Sequence, residues 1–345
     1  MELMRIQSDK TKAAILKILS ENNKPMGAGQ LMSALLSSGF DISPRTIRFY
    51  LLKLDEQGFS RLVSRRSGRR ISERGLEELA RTNVIDKVGI IAAKIDMLGY
   101  RMSFRSSDGK GTVIMNVCLL SDSCELPRAL TEIQPVFARG LTMTPRLVVA
   151  HAGEAVGTMI VPAGQVAVGT VCSMTLNGIL LHEGVPVVSR FGGLLEMRDW
   201  NPVRFVELIE YRGSTLDPFE VFVRADMTRV RSVARTGSGV ICASFREIPA
   251  AAAEDVRRLE KRHTGHGLGG ILAIGKPNQP MFGIPVSGGY CGMIVVGGLN
   301  PIAVLHEAGI EVSIRSLAEL KEYGSFRELR SIQTDAWRQR RNTSQ

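Results

Sequence analysis

The chain has 345 residues, 44% hydrophobic, with a formal net charge of +10, enough apolar content for two or three domains with true cores. No apolar run approaches the roughly 20 residues of a bilayer span, and the opening MELMRIQSDK lacks a signal-peptide core, so a cytoplasmic chain with no membrane partner is expected. Five cysteines without a CxxC pair argue against a disulfide framework and a four-thiolate zinc site, and the charge is localised: residues 1–85 carry 15 Lys/Arg against 9 Asp/Glu, residues 327–345 carry 5 against 2, and the stretch between is nearly neutral. A basic segment of that kind points to a polyanionic partner.

Residues 9–21 place Ala14, Ile15, Ile18 and Leu19 on one helical face, and residues 27–38 give a second short amphipathic helix that ends at Gly39. A third helix is predicted from Pro44, with Ser43 as its cap and Ile47, Tyr50, Leu51 and Leu54 at helical spacing until Gly58. Two short strands follow, 59–64 and 69–72, joined by RRSG. This order predicts a winged helix-turn-helix over residues 8–82 that binds double-stranded DNA. Its third helix would offer Arg45, Thr46, Arg48 and Lys53 to the major groove, and its wing Arg65, Arg66, Arg69 and Arg70 to the backbone or minor groove. A solvated basic hairpin on a protein-binding domain is the plainer alternative.

After a connecting helical stretch, residues 83–326 alternate β-branched runs with helical ones, which predicts an α/β (α+β) domain. Strands are expected at 111–120, 145–153, 157–173, 237–248, 269–275 and within 279–292. Helices are expected at 125–140, which Pro135 would interrupt, and at 249–263. The order repeats, predicting two duplicated halves of about 83–200 and 201–326. The repeat is most visible where GTVCSMTLNGILLHEG (169–184) returns as GGYCGMIVVGGLNPIAVLHEAG (288–309). In that reading Cys172 matches Cys291, Met174 matches Met293, His182 matches His306 and Glu183 matches Glu307, with about five residues inserted in the second copy. Val113-Ile114 then matches Val240-Ile241 upstream. Residues 327–345 form a basic tail, helical or disordered.

The stretches YLLKLDEQGFSRLVSRRSGRRISERGLEEL, DKVGIIAAKIDMLGY and GKPNQPMFGIPVSGGYCGMIVVGGLNPIAVLHEAGI resemble the NrpR family, archaeal repressors of nitrogen-assimilation genes, over about residues 8–325. The resemblance implies a winged helix joined to one nitrogen regulatory domain that senses effector and dimerises. Some family members carry two such domains, so a homodimer or a second NrpR-family protein would supply the missing copy here. It further implies a repressor that binds an inverted-repeat operator and leaves it when 2-oxoglutarate binds, with no cofactor. The rivals are an enzyme with an appended DNA-binding module, which the absence of a complete catalytic constellation disfavours, and a co-repressor acting through another regulator.

Three motifs invite other chemistry. His182-Glu183 and His306-Glu307 lack the second histidine of HExxH, since Pro186 and Ile310 stand there, so each Leu-His-Glu is expected to close a short helix before Gly184 and Gly309. GHGLGG (265–270) fits GxGxxG formally, but a helix precedes it and a strand follows, the reverse of a dinucleotide site. His263 and His266 have no third metal ligand, and no metal site is expected. Cys172 and Cys291 lack a base placed by sequence, and no catalytic residue is expected. For a dicarboxylate effector, the glycine-rich segments beside the two cysteines are the candidates, through Gly169, Thr170, Cys172, Thr175, Asn177, Asn278, Gly283, Ser287, Gly289, Cys291 and Asn300. The alternative is that these glycines only permit tight turns between buried strands.

Overall fold

The computed structural model describes residues 2–81 and 90–332, except residues 23, 37, 39 and 158. The domain junction expected near 82 and the tail from 333 onward lie outside the described residues. Contacts divide the chain into two compact units, Met1–Met97 and Leu98–Gln345. Among the described residues no helix is long and apolar enough to cross a membrane.

The first unit contains α1 (Glu2–Glu21), α2 (Ala28–Leu36), α3 (Pro44–Glu56), the hairpin β1 (Ser60–Ser64) and β2 (Gly68–Ile71), and α4 (Glu73–Arg81). Ile15, Leu16 and Leu19 of α1, Leu31 and Leu35 of α2, and Ile47, Leu51 and Leu54 of α3 form one buried cluster. Each such side chain contributes about 1.5–3 kcal/mol by leaving water, and the four- and three-residue spacing on α3 turns one stripe inward. The start of α3 is fixed as its sequence predicts: the Ser43 hydroxyl accepts the Thr46 N–H at 3.2 Å, and Pro44 occupies the first turn. In the wing, Arg61 pairs with Arg70 and Leu62 with Arg69. Met26 adds a third rung by exchanging both backbone hydrogen bonds with Arg69, at 2.8 and 2.9 Å.

In the second unit the first half runs β3 (Thr112–Leu120), α6 (Leu126–Ala138), β4 (Arg146–His151), β7 (Val166–Val171), α7 (Thr175–His182) and β8 (Val188–Arg198). Before it lies α5 (Ile90–Arg101), which crosses the division between units, and a small hairpin, β5 (Ala155–Val156) with β6 (Met159–Ile160), interrupts it. The second half repeats the order as β10 (Gly239–Pro249), α10 (Ala253–Gly265), β11 (Ile271–Ile274), β12 (Tyr290–Val296), α11 (Asn300–Glu307) and β13 (Val312–Glu322). Between them stand β9 (Asn201–Glu210), α8 (Pro218–Arg224) and α9 (Val230–Thr236), and β14 (Arg327–Glu328) follows. Pro135 does not interrupt α6, contrary to expectation. It falls in the last turn, where Ile133, Val136 and Phe137 remain buried and hold the helix on course.

Two antiparallel five-stranded sheets result, β13-β3-β7-β4-β14 and β11-β12-β10-β8-β9. Each half builds three strands of its own sheet and sends its last strand to the other: β8 pairs with β10, and β13 pairs with β3. The crossing β13 carries a bulge between Arg315 and Glu319, where Leu317 has a φ of 49° and its N–H donates to the buried Asn116 Oδ1 at 3.1 Å.

The duplication is therefore real, but its register differs from the one read in the sequence. Cys172 N donates to Ile114 O just past the end of β7, and Gly297 N donates to Cys242 O just past the end of β12. Thr175 and Asn300 open the two helices, Val185 and Ile310 donate back to Leu180 and Leu305, and Gly184 and Gly309 end them with φ of 78° and 71°. These pairs are all 125 positions apart, with no insertion. Cys172 thus corresponds to Gly297, whereas Cys291 is the second residue of β12 and corresponds to Val166. His182 corresponds to Glu307, one position from the expected pairing, and Ile114 corresponds to Cys242, again one position away. The repeated Cys and Met letters fall on different parts of the fold.

His263 of α10 is 3% exposed and meets the Ser106 hydroxyl at 2.8 Å. Burial lowers its pKa from 6.5 to about 4, so the unfolded chain takes up a proton that the folded chain refuses. Stability is therefore full above pH 6.5 and declines as pH falls towards 4. Thermal midpoints of the wild type should fall across that window, and His263→Gln should flatten the decline.

Candidate nucleic-acid interface and effector region

Arg45, Arg48 and Lys53 lie on the exposed face of α3 and Arg65, Arg66 and Arg70 on the exposed wing. Lys53 shares its charge with Glu56 at 2.8 Å in a pair open to water. Thr46 is exposed but committed to the helix start, its hydroxyl 2.9 Å from the Ser43 hydroxyl. Arg69 departs from expectation. Its Nε donates to Asp55 Oδ2 at 2.6 Å in a half-buried pair, and Asp55 also accepts the Ser60 hydroxyl at 2.5 Å. Alternation along β2 turns Arg69 back onto the end of α3, where it fastens the wing. Phe49 and Leu52, 55% and 54% exposed, interleave with the cations of α3, and Arg61 is exposed on β1. The helical-face reading missed them because it sorted α3 by charge; the signal was an apolar pair out of step with the Ile47-Leu51-Leu54 stripe. Cations with exposed apolar groups can meet phosphates, base edges and thymine methyls.

The residues proposed for the effector separate into two groups. Thr170, Cys172, Thr175, Asn177 and Asn300 lie where the starts of α7 and α11 meet. There the Thr170 hydroxyl donates to Gly298 O at 2.9 Å, and a Cβ on Gly298 would come within 2.5 Å of Val171 O. Gly169, within β7, packs against Met115 and Val148. Thr175 Oγ1 accepts the Ile114 N–H at 3.0 Å, and Asn300 accepts from Cys242 N at 3.0 Å and donates to Cys242 O at 3.1 Å. These equivalent residues pin each helix to the middle of the neighbouring strand. Asn278, Gly283, Ser287 and Gly289 form the β11–β12 loop, stapled elsewhere: Ser287 donates through N and Oγ to Glu247, and Asn278 Oδ1 accepts from Gly289 N at 2.6 Å. Cys291 is buried at the start of β12. Asn177 differs from the rest, because its Oδ1 accepts from Arg246 Nη1 at 2.6 Å while its Nδ2 donates to Ser189 at 2.8 Å. Arg246 has no exposed surface and was not anticipated.

The Leu-His-Glu copies close their helices as expected, and the second has a further structural task. Glu307 accepts from Thr228 Oγ1 at 2.7 Å and from Val230 N and Arg231 N at 2.8 Å each, capping α9. Its neighbour His306 meets Asp226 at 2.8 Å, and His182 meets Tyr100 O at 3.1 Å. In GHGLGG the helix α10 ends at Gly265 and β11 follows, as the sequence predicts. Burial pushes the thiols of Cys118 up to about 12, of Cys242 well above the usual value and of Cys291 upward, which disfavours thiolate chemistry at all three. An open cleft of about 470 Å³ between the end of α7 and α10, lined in part by Gly184, Pro186, Arg258 and Arg262, includes none of the proposed effector residues.

The fold and its surfaces define a winged-helix protein that carries a duplicated α/β domain. Residues 88–328 match the family described as NrpR regulatory domains NRD1 and 2, and residues 13–79 match that described as the ribonuclease R winged-helix domain. The chain belongs to the NrpR family. It is 30% identical over 327 residues to the global nitrogen regulator NrpRI of Methanosarcina mazei, covering 95% of this chain and 100% of that protein. It is 29% identical to the global nitrogen regulators NrpR of Methanococcus maripaludis and Methanocaldococcus jannaschii, over 90% and 95% of this chain, and spans 54% and 56% of those longer proteins. A crystal structure of a nitrogen repressor-like protein from Methanococcus jannaschii superposes with a TM-score of 0.58 and 27% identity, covering 69% of this chain and 97% of that one.

The Arg69–Asp55 pair should behave as a structural clasp. In a double-mutant cycle with Arg69→Ala and Asp55→Ala, chemical denaturation should return a coupling energy of about 0.5–2 kcal/mol. Additive losses would detach the wing from this contact.

Proposed function

We propose that the protein is a DNA-binding transcriptional repressor of nitrogen-assimilation genes, acting as a homodimer on an inverted-repeat operator and released when 2-oxoglutarate binds its regulatory unit. The observation that carries the reading is the outer face of α3, where Arg45, Arg48 and Lys53 flank exposed Phe49 and Leu52 with the wing arginines beyond. Family membership supports it, since the relatives are named nitrogen regulators. So does the segregation of charge, with the basic excess in the winged helix and the regulatory stretch nearly neutral. Release follows as a population shift: an effector that prefers the non-operator arrangement lowers operator affinity by its ratio of affinities for the two states.

Operator fragments selected from genomic DNA provide the test, with affinity measured across salt concentrations. Arg48→Ala should weaken specific binding by about 1–3 kcal/mol if Arg48 reads a base edge, and Arg66→Ala should lower the salt slope by about one. Unchanged affinity and slope in the double variant would remove this face from the interface. Titrating 2-oxoglutarate at fixed salt should weaken operator binding, and an unmoved affinity would sink the effector assignment.

A further inference from the structure

Helix α3 carries two stripes at the same helical spacing. Ile47, Leu51 and Leu54 are fully buried and close the core of the first unit against α1 and α2. Arg45, Arg48, Phe49, Leu52 and Lys53 form the opposite stripe, and every member of it is exposed. Phe49 and Leu52 are the anomaly in that stripe. They stand three positions apart, hence side by side on the helix surface, and more than half of each is open to water. Single exposed apolar side chains are ordinary on a protein, but an adjacent phenylalanine and leucine in the middle of a cationic face are not.

Phe49 is also held where it is. Its ring meets the edge of Tyr50, with centroids 5.6 Å apart and planes at 66°, and Tyr50 packs against the buried cluster. The aromatic contact therefore braces the Phe49 ring in its outward position before any partner arrives.

The surrounding charge decides what the pair faces. Among the described residues no salt bridge engages Arg45 or Arg48, whereas Lys53 is paired with Glu56 at 2.8 Å. The face is apolar at its middle and uncompensated in positive charge towards the start of α3. A protein partner would have to bring acids around an apolar socket. The major groove of DNA already has both, with phosphates along its walls and, on its floor, the C5-methyl of thymine as the apolar group that marks a T·A pair.

We propose that Phe49 and Leu52 read thymine methyl groups in the major groove, so that a half-site is selected by methyl contact as well as by hydrogen bonds; this rests on the reading above that α3 binds DNA, and it names what the middle of that helix recognises. Leu52 lies about 4.5 Å beyond Phe49 along the helix axis, and successive base pairs are about 3.4 Å apart, so the two side chains reach neighbouring pairs. T·A and A·T place the methyl differently in the groove, so the contact fixes the orientation of a pair as well as its composition. Methyl and ring both leave water, which stabilises the complex with no phosphate contact and no counterion release.

Deoxyuridine pairs as thymidine does and lacks only the methyl. A fragment selected from genomic DNA by the full chain is remade with deoxyuridine at each half-site thymine in turn, and affinity is measured at fixed salt. The wild type should lose about fourfold at one or more thymines of each half-site, the transfer of one methyl group. Phe49→Ala and Leu52→Ala should each weaken binding to the thymine fragment by at least that factor and abolish the response to deoxyuridine at the position contacted. Their salt slope and thermal midpoint should match the wild type. Three results overturn the proposal while leaving the DNA reading in place. The first is half-sites that tolerate deoxyuridine at every thymine or contain none. The second is an alanine variant that loses equally on thymine and deoxyuridine fragments. The third is a lowered midpoint with the deoxyuridine response intact, the mark of a structural role through Tyr50. If the full chain selects no genomic fragment, the methyl contact and the DNA reading fail together.

Discussion

The regulatory unit depends on one close approach, the meeting of the two strand-to-helix turns at Ser173 and Gly298. A side chain at Gly298 would strike Val171 O and the backbone of Cys172 and Ser173, so one of the two equivalent positions must be bare. That contact joins the two turns that lead into α7 and α11, and the strands that follow those helices, β8 and β13, enter opposite sheets. Thr175 and Asn300 then fasten each helix to the strand it crosses. Polar side chains at these turns thus hold the joint, and the two halves depart from symmetry where Arg246 of one stands against Cys118 of the other.

Much of the first unit was legible because its signals are local. Ser43-Pro44 fixes a helix start through one hydroxyl and one ring, and the four- and three-residue spacing of Ile47, Leu51 and Leu54 decides which side turns inward. The pairing of Arg69 with Asp55 was not legible, because strand alternation sends it to a residue fourteen positions earlier that no local pattern couples to it. The outward apolar pair Phe49 and Leu52 was overlooked because attention to charge hides it.

In the second unit the duplication was visible and its register was not. Recurrent Cys-x-Met letters imposed an insertion that the hydrogen bonds at Cys172 and Gly297 exclude, since strand ends and helix starts repeat while those letters do not. Arg246 was invisible for a related reason. Within VICASFREI it reads as the polar end of a half-exposed strand, and only the return of α7 from the other half covers it. One clue was available: eight successive residues of β10 are buried, so polar members of that run must have partners somewhere.

The exchange of last strands also bears on how the chain is made. Asn116 receives its partner Leu317 from 201 positions downstream, so the β3 edge of the first sheet stays open while nearly all of the second half is synthesised. Such long-range pairing is slow to form and exposes a hydrophobic edge in the meantime. Each half lacks a strand that the other supplies, β8 in the interior of one sheet and β13 at the edge of the other. An ancestor with a single copy would have needed two chains trading that strand, so the pseudo-symmetric unit is, in effect, a strand-swapped pair written on one polypeptide.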